Sequence, residues 1–222
     1  MNDKAPDTLG STAAASLAAG GLDLRAGLEF EGRAAVLVGN TRALWPPFVD
    51  WLRADPTRAD GRNPLDAFVA ERLAGALRAV MTPVAQLVLP YERGAPDFVG
   101  LAEHAGLLRR GASGLGVHPV YGPWVALRAL VVHATPASER LAPVARPTAP
   151  CQHCDSACGP AFAALKRPGT EAEFRAPGTW EAWAEARAAC PTGAEHRYSA
   201  DQLRYHYTHD HEILRRLAHT SP

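Results

Sequence analysis

Long apolar runs are missing from this chain of 222 residues. No stretch approaches the roughly 18 residues that a membrane-spanning helix needs. An excess of either charge is missing too: Lys+Arg and Asp+Glu number 23 each, so the formal net charge is zero. That balance leaves no electrostatic footprint for nucleic acid or an anionic membrane. Lysine is scarce, while Ala, Arg, Pro and Gly are abundant without clustering at any site, which reads as base-composition bias. No basic start precedes the Ala-rich stretch from Ser11 to Leu22, as a signal sequence would require. A cytoplasmic location is therefore expected. There, clustered cysteines are more often metal ligands than disulfides.

Common catalytic signatures are absent as well. There is no G-x-S-x-G elbow, no H-E-x-x-H and no G-x-x-x-x-G-K-[ST]. The glycines that do cluster are not spaced G-x-G-x-x-G. A D-x-H-x-x-G pattern is also missing.

What is present is an ordinary globular balance, 47% apolar and 21% charged, in a chain long enough for one sizeable α/β domain. Residues 1–28 read as flexible or only locally helical. Ala34 to Gly39 is a short apolar run and reads as a buried strand. Trp45 to Leu52 reads as a helical turn with aromatic anchors. Asn63 and Pro64 open a helix carrying Leu65, Phe68, Val69, Leu73, Leu77 and Val80 at helical spacing. Gln86 to Leu89 reads as a strand, Asp97 to Leu108 as a helix and Val125 to His133 as the clearest strand. Trp180 to Ala189 and Ala200 to Leu217 read as helices. Strands separated by helices predict a mixed sheet with helices packed on it. The expected organisation is an α/β domain over 29–134, a Pro-rich linker over 135–150, and a cysteine-rich region with a final helix over 151–222.

All four cysteines fall in that last region: Cys151, Cys154, Cys158 and Cys190. The first three read CQHCDSAC and the fourth opens CPTG. Thiolates two residues apart can face one metal, a third from the next turn completes a face, and a remote Cys-Pro closes the site. That is the logic of an iron–sulfur cube. Tetrahedral zinc can use the same four sulfurs, and two disulfides remain an alternative. His153 lies inside the motif and could replace a thiolate.

The second signal is the segment RRGASGLGVHPVYGPWVALRALVV, in which Gly111, Gly114, Gly116 and Gly122 permit tight turns or close approach. The segment resembles one shared by the CblC cobalamin-processing family and the epoxyqueuosine reductase and reductive dehalogenase group. His118-Pro119-Val120-Tyr121-Gly122-Pro123-Trp124 matches the CblC motif His-Pro-x-aromatic-Gly-small-Trp, and Arg128 matches the arginine of the strand that follows. HRYSADQLRYHY is similar to a segment near the end of the CblC domain. CPTG and the preceding cysteines resemble instead the iron–sulfur region of the epoxyqueuosine reductases. Those enzymes carry eight cysteines and CblC proteins lack the cluster, so this chain departs from both.

The resemblance implies a nitroreductase-like α/β (α+β) fold with an iron–sulfur region, and a cobalamin-linked oxidoreductase or processing protein. An unidentified electron donor would supply the electrons, and homodimerisation is left open. Gly114, Gly116, His118, Pro119, Tyr121, Gly122, Trp124 and Arg128 are the expected cofactor-binding residues. A 4Fe-4S cluster, with zinc as its alternative, and cobalamin are the expected cofactors, with glutathione or flavin as further candidates. A cobalamin chaperone with structural zinc and a ferredoxin-like carrier are the rival readings. Arg109, Arg110 and Arg128 could bind carboxylates or phosphates of a thiol cofactor or flavin. His206, His209 and His211 form a local cluster that reads as an exposed helix end.

Overall fold

The computed structural model describes residues 9–78, 83–111, 113–137, 154–165 and 168–220, with backbone alone at 154 and 155. The segment expected to be flexible or only locally helical holds, from Leu9 on, helix α1 (Ser11–Ala19) and then the start of strand β1 (Leu24–Phe30), which was not expected. β1 turns into β2 (Arg33–Asn40) through Glu31 and Gly32, both at positive φ (51° and 75°). That is the twist a two-residue hairpin turn requires. The sequence hides it because Glu, rather than Asn or Asp, occupies the first position.

After β2 come α2 (Trp45–Ala54) and α3 (Pro64–Leu77). Prolines in the first turn of each cost nothing, because those N–H groups have no partner inside the helix. Asn63 precedes α3 as expected, but its side chain makes no capping bond. Val80, expected at the end of that helix, lies outside the described residues. Then follow β3 (Val84–Val88), α4 (Phe98–His104), a short ribbon of β4 (Arg109–Arg110) and β5 (Gly116–Val117), and β6 (Ala126–Pro136).

Four strands form one sheet in the order β1-β2-β6-β3. Every pairing in it is antiparallel, where a mixed sheet was expected. The chain leaves β2 through two helices and returns with β3 on the far side of β6, so each neighbour meets the next head to tail.

β2 and β6 sit centrally, and both their faces are covered. Side chains alternate across a strand. Val36, Val38, Ala129 and Val131 therefore enter one core with Phe48, Trp51 and Phe68 of α2 and α3. Ala35, Leu37, Leu130 and Val132 enter the other, with Phe98, Ala102 and Leu108. In the first core Phe48 is fully buried and its ring meets those of Trp45, Trp51, Phe68 and Tyr205. Burying one such side chain contributes about 1.5–3 kcal/mol.

The C-terminal region folds as a single π-helical turn at Cys154–Cys158, then α5 (Gly159–Ala163), α6 (Glu171–Arg175), α7 (Thr179–Ala188), α8 (Ala200–Thr208) and α9 (His211–His219). The final helix expected over Ala200 to Leu217 is two. His209 adopts a left-handed conformation (φ 52°), and the Asp210 carboxylate accepts the Glu212 N–H at 2.9 Å to start α9. The expected linker begins later than 135, since β6 runs to Pro136; residues 138–150 lie outside the described chain.

Candidate ligand cleft

The β4–β5 ribbon closes the glycine loop at its base, where the Gly111 N–H donates to the Leu115 carbonyl at 2.7 Å. Two adjoining depressions flank this loop. One, of about 270 Å³, is almost wholly apolar: Phe98, Val99, Leu108, Gly114, Gly116, Pro123 and Leu127 line it. The other, of about 370 Å³, lies between Ser113 and Ala126 on one side and Phe162, Phe174, Trp183, Arg187, Tyr198, His206 and Tyr207 on the other. Leu115 and Val125 line both.

Gly114 and Gly116 line the wall of the first depression. At Gly116 an added Cβ would fall 2.6 Å from the end of the buried Leu108 side chain. A larger residue there would press on the core as well as on any ligand.

The HPVYGPW turn has a different duty. The backbones of His118 and Gly122 exchange two hydrogen bonds of 2.8 Å. His118 Nδ1 accepts the N–H groups of Val120 and Tyr121 at 3.1 and 3.2 Å. Burial, with His196 assisting against Asp23, pushes the His118 pKa down to about 4. His118 is therefore a neutral, turn-shaping imidazole near pH 7. Tyr121 packs between His118 and His196, each ring centroid 4.8 Å away. Gly122 (φ 58°) and Gly193 (φ 71°) then interlock. A Cβ on Gly122 would lie 1.8 Å from the Thr192 carbonyl oxygen, and one on Gly193 would lie 2.2 Å from the Tyr121 carbonyl carbon. The two segments quoted for their resemblance, HPVYGPW and CPTG, therefore meet backbone to backbone. His118, Pro119, Tyr121 and Gly122 build this joint and line neither depression.

Trp124 is buried, with Tyr198 edge-on at 5.6 Å and the Arg187 guanidinium over its ring at 4.7 Å. Arg187 also donates from Nε and Nη2 to the Pro123 carbonyl. The Trp124 Nε1 has no hydrogen-bond partner among the described residues. Arg128 is half-buried, and its guanidinium sits where desolvation lowers its pKa. Its Nε donates to the side-chain amide oxygen of Asn40, Oδ1, at 2.7 Å. Its Nη2 is buried without a partner among the described residues. Arg109 and Arg110 are exposed, and Arg110 pairs with the Asp97 carboxylate.

Cys158 and Cys190, 32 positions apart, are both buried and form one small cluster with Val117 of β5. Cys151 and the Cys154 side chain, like His153, lie outside the described residues. Among the described residues no group of three or more His, Cys, Asp or Glu is placed to hold a metal ion.

The residues that sequence reasoning overlooked are the aromatic wall. Phe162 and Phe174 both pack edge-on against Trp183, at 5.8 and 5.6 Å, and Phe174 stacks on Tyr207. Only the spacing of aromatics in an otherwise polar region hinted at it. The histidine cluster also separates. His211 Nδ1 lies 2.7 Å from the Ala59 carbonyl oxygen, His209 ends α8 with its ring stacked on Tyr205, and His206 turns into the cleft.

No protein-family model matches the chain, and no curated protein sequence matches it. Among solved structures the chain is similar to a C. elegans B12-trafficking protein, CblC, a homologue of human MMACHC. The TM-score is 0.57 at 17% identity, over 96% of this chain and 90% of that one. The likeness shows a CblC-like fold, as the sequence resemblance implied.

Proposed function

We propose that this chain binds cobalamin in the cleft beside the glycine loop and processes it reductively. The observation that carries the reading is the likeness of nearly the whole fold to a protein described as trafficking B12. The chemistry of the cleft fits that ligand. A corrin has apolar faces and a fringe of amides, which call for apolar walls with scattered polar groups. Leu115, Val125, Phe162, Phe174 and Trp183 supply the walls. Arg187, with the Tyr198 hydroxyl and His206 imidazole, whose buried Oη and Nε2 lack partners among the described residues, supplies polar groups. A nitroreductase-like ancestry, the oxidoreductase class and a cytoplasmic setting belong to this same reading.

Within it, Cys151, Cys154, Cys158 and Cys190 would hold an iron–sulfur cluster, with zinc as the alternative. The adjacency of Cys158 and Cys190 supports a shared site. A cluster there would supply single electrons beside the cleft.

Anaerobic purification and reconstitution, followed by titration with hydroxocobalamin, tests both parts. The expected result is a saturable shift of the corrin absorption bands, together with about four irons per chain. Unchanged corrin bands at every protein concentration would overturn the cobalamin reading. A colourless protein holding one zinc would overturn the cluster and leave cobalamin binding intact.

A further inference from the structure

We infer that Arg187 holds the phosphate of an aromatic nucleotide whose ring lies against the wall of the larger depression. The inference rests on the cobalamin reading for the source of that nucleotide, the corrinoid's own tail. The starting point is a charge without a counter-charge. Arg187 is only 9% exposed, yet no carboxylate pairs with it among the described residues. Exposed arginines such as Arg110, Arg204 and Arg216 each have one. Taking a guanidinium out of water is costly unless an opposite charge and hydrogen bonds replace the solvent.

The group is fixed in place with one edge open. Nε and Nη2 donate to the Pro123 carbonyl, and the guanidinium carbon lies 4.7 Å from the Trp124 ring centroid and 5.0 Å from that of Tyr198. These contacts orient the guanidinium and offset part of its desolvation, but they leave its charge unbalanced. Nη1 makes no hydrogen bond and is not sealed from solvent. Because Arg187 lines the larger depression, this nitrogen is offered to whatever enters there. A donor already held in one geometry loses little rotamer entropy on binding.

The rest of the lining defines the ligand. No Asp or Glu lines the depression, so nothing there repels an anion. Burial, then Arg128, Arg187 and His209, holds the His206 pKa well below the usual histidine value, so that ring is neutral. Arg187 is therefore the one cation among the described lining residues. Arg128 lines neither depression. Opposite stand Phe174, Trp183 and Tyr207, with Phe174 at 5.6 Å from Trp183 and 5.7 Å from Tyr207 between ring centroids. Such a wall takes a flat ring by stacking, and a guanidinium takes a phosphate through paired N–H donors. The volume of about 370 Å³ falls in the range of small-ligand sites. An aromatic nucleotide joins both features. Cobalamin carries one, a benzimidazole nucleotide attached through a phosphodiester, and a free flavin nucleotide has the same chemistry.

The test uses the full chain in phosphate-free buffer and two ligand pairs. One is hydroxocobalamin against aquacobinamide, which lacks the nucleotide; the other is flavin mononucleotide against riboflavin. Corrin absorption and flavin fluorescence report binding. The wild type should prefer hydroxocobalamin to aquacobinamide by about ten- to a hundredfold, the worth of a charge-assisted hydrogen bond. Arg187→Met, which keeps an apolar stem of similar length, should erase that preference and leave aquacobinamide affinity nearly unchanged. Thermal melts establish that the variant is folded. A measurement on the wild type alone stands beside it: α-ribazole phosphate should displace hydroxocobalamin, and α-ribazole should not. An Arg187-dependent preference within the flavin pair alone would support the phosphate site and assign it to a free nucleotide. Equal affinities within both pairs, a preference that survives in folded Arg187→Met, or α-ribazole competing as well as its phosphate would overturn the inference and leave the cobalamin reading standing. Binding of neither corrinoid, with no preference within the flavin pair, would overturn both.

Discussion

The sheet half of the molecule and the C-terminal half treat buried polar groups in opposite ways. Around β2 and β6 the interior is two continuous apolar cores. Its polar intrusions are mostly paired: Asn40 Nδ2 donates to the Thr41 carbonyl, Thr41 to the Asp23 carboxylate, and Trp51 Nε1 to Glu71. Where the C-terminal helices meet that sheet, Trp124 Nε1, Arg128 Nη2, Tyr198 Oη, Gln202 Nε2 and His206 Nε2 are buried without partners among the described residues. Arg72 Nε and Thr135 Oγ1 share that condition away from this region. Each such group costs about 1–3 kcal/mol. One half is built for stability. The other leaves several buried polar atoms without a partner among the described residues.

The sharpest way to separate the halves is to damage each alone. Phe48→Ala empties the centre of the aromatic core and should cost about 3–5 kcal/mol. Chemical denaturation should show the loss, while corrinoid affinity measured on the folded fraction should hardly change. Equal damage to both quantities would mean that the two halves are not separable.

Gly122→Ala strikes the joint between them. The new methyl would meet the Thr192 carbonyl at a positive φ that side chains disfavour. Overpacking of this kind typically costs about 1–3 kcal/mol. The expected signature is earlier proteolysis within 154–220 and weaker corrinoid binding, with hydrogen exchange in β2 and β6 unchanged.

The split also explains what could be read from the sequence. The buried strands, α2, α3 and α7 announce themselves through apolar runs, helical spacing and first-turn prolines. β1 stays hidden because Leu24–Phe30 mixes Arg25 and Glu29 with apolar residues and turns on an unorthodox Glu31. Gly114 and Gly116 on the cleft wall, and Trp124 and Arg128, which line neither depression, carry local signals. Asn40 as the partner of Arg128, 88 positions away, carries none. The role of His118-Pro119-Val120-Tyr121-Gly122 as a joint, rather than a ligand contact, depends on Gly193 arriving opposite, which no local pattern encodes.

Arg128→Gln belongs to the ligand half by this account. Glutamine can still meet Asn40 but removes a buried charge. The melting temperature should stay near that of the wild type or rise slightly. If Arg128 contacts an acidic ligand group such as that of glutathione, affinity for it should fall by about 1.5–3 kcal/mol, on the order of ten- to a hundredfold. Ligand-dependent melting shifts read this directly. A variant that melts well below the wild type would assign Arg128 to structure.

The smallest effect is acid sensitivity, and its sign follows from three histidines. His118, His206 and His209 all have pKa values lowered chiefly by burial, His118 to about 4. Arg128 and Arg187 add to the lowering at His206; Arg175 and His211 add to it at His209 against Asp66 and Glu171. The unfolded chain protonates these groups near pH 6.5, while the folded chain does not. Between that pH and about 4 the unfolded state therefore binds more protons, and stability must fall as pH falls. The contribution is fully present above pH 6.5. All three residues sit in the joint or in α8 and its end, none in the two sheet cores. Acidification from pH 7 to 4.5 should accordingly raise hydrogen exchange in α7 and α8 before it does so in β2 and β6. His118→Asn, which keeps a side-chain acceptor for the turn, should make the pH dependence shallower. Simultaneous loss of protection in sheet and helices would show that the molecule unfolds as one unit, so that its two halves differ in chemistry but share their stability.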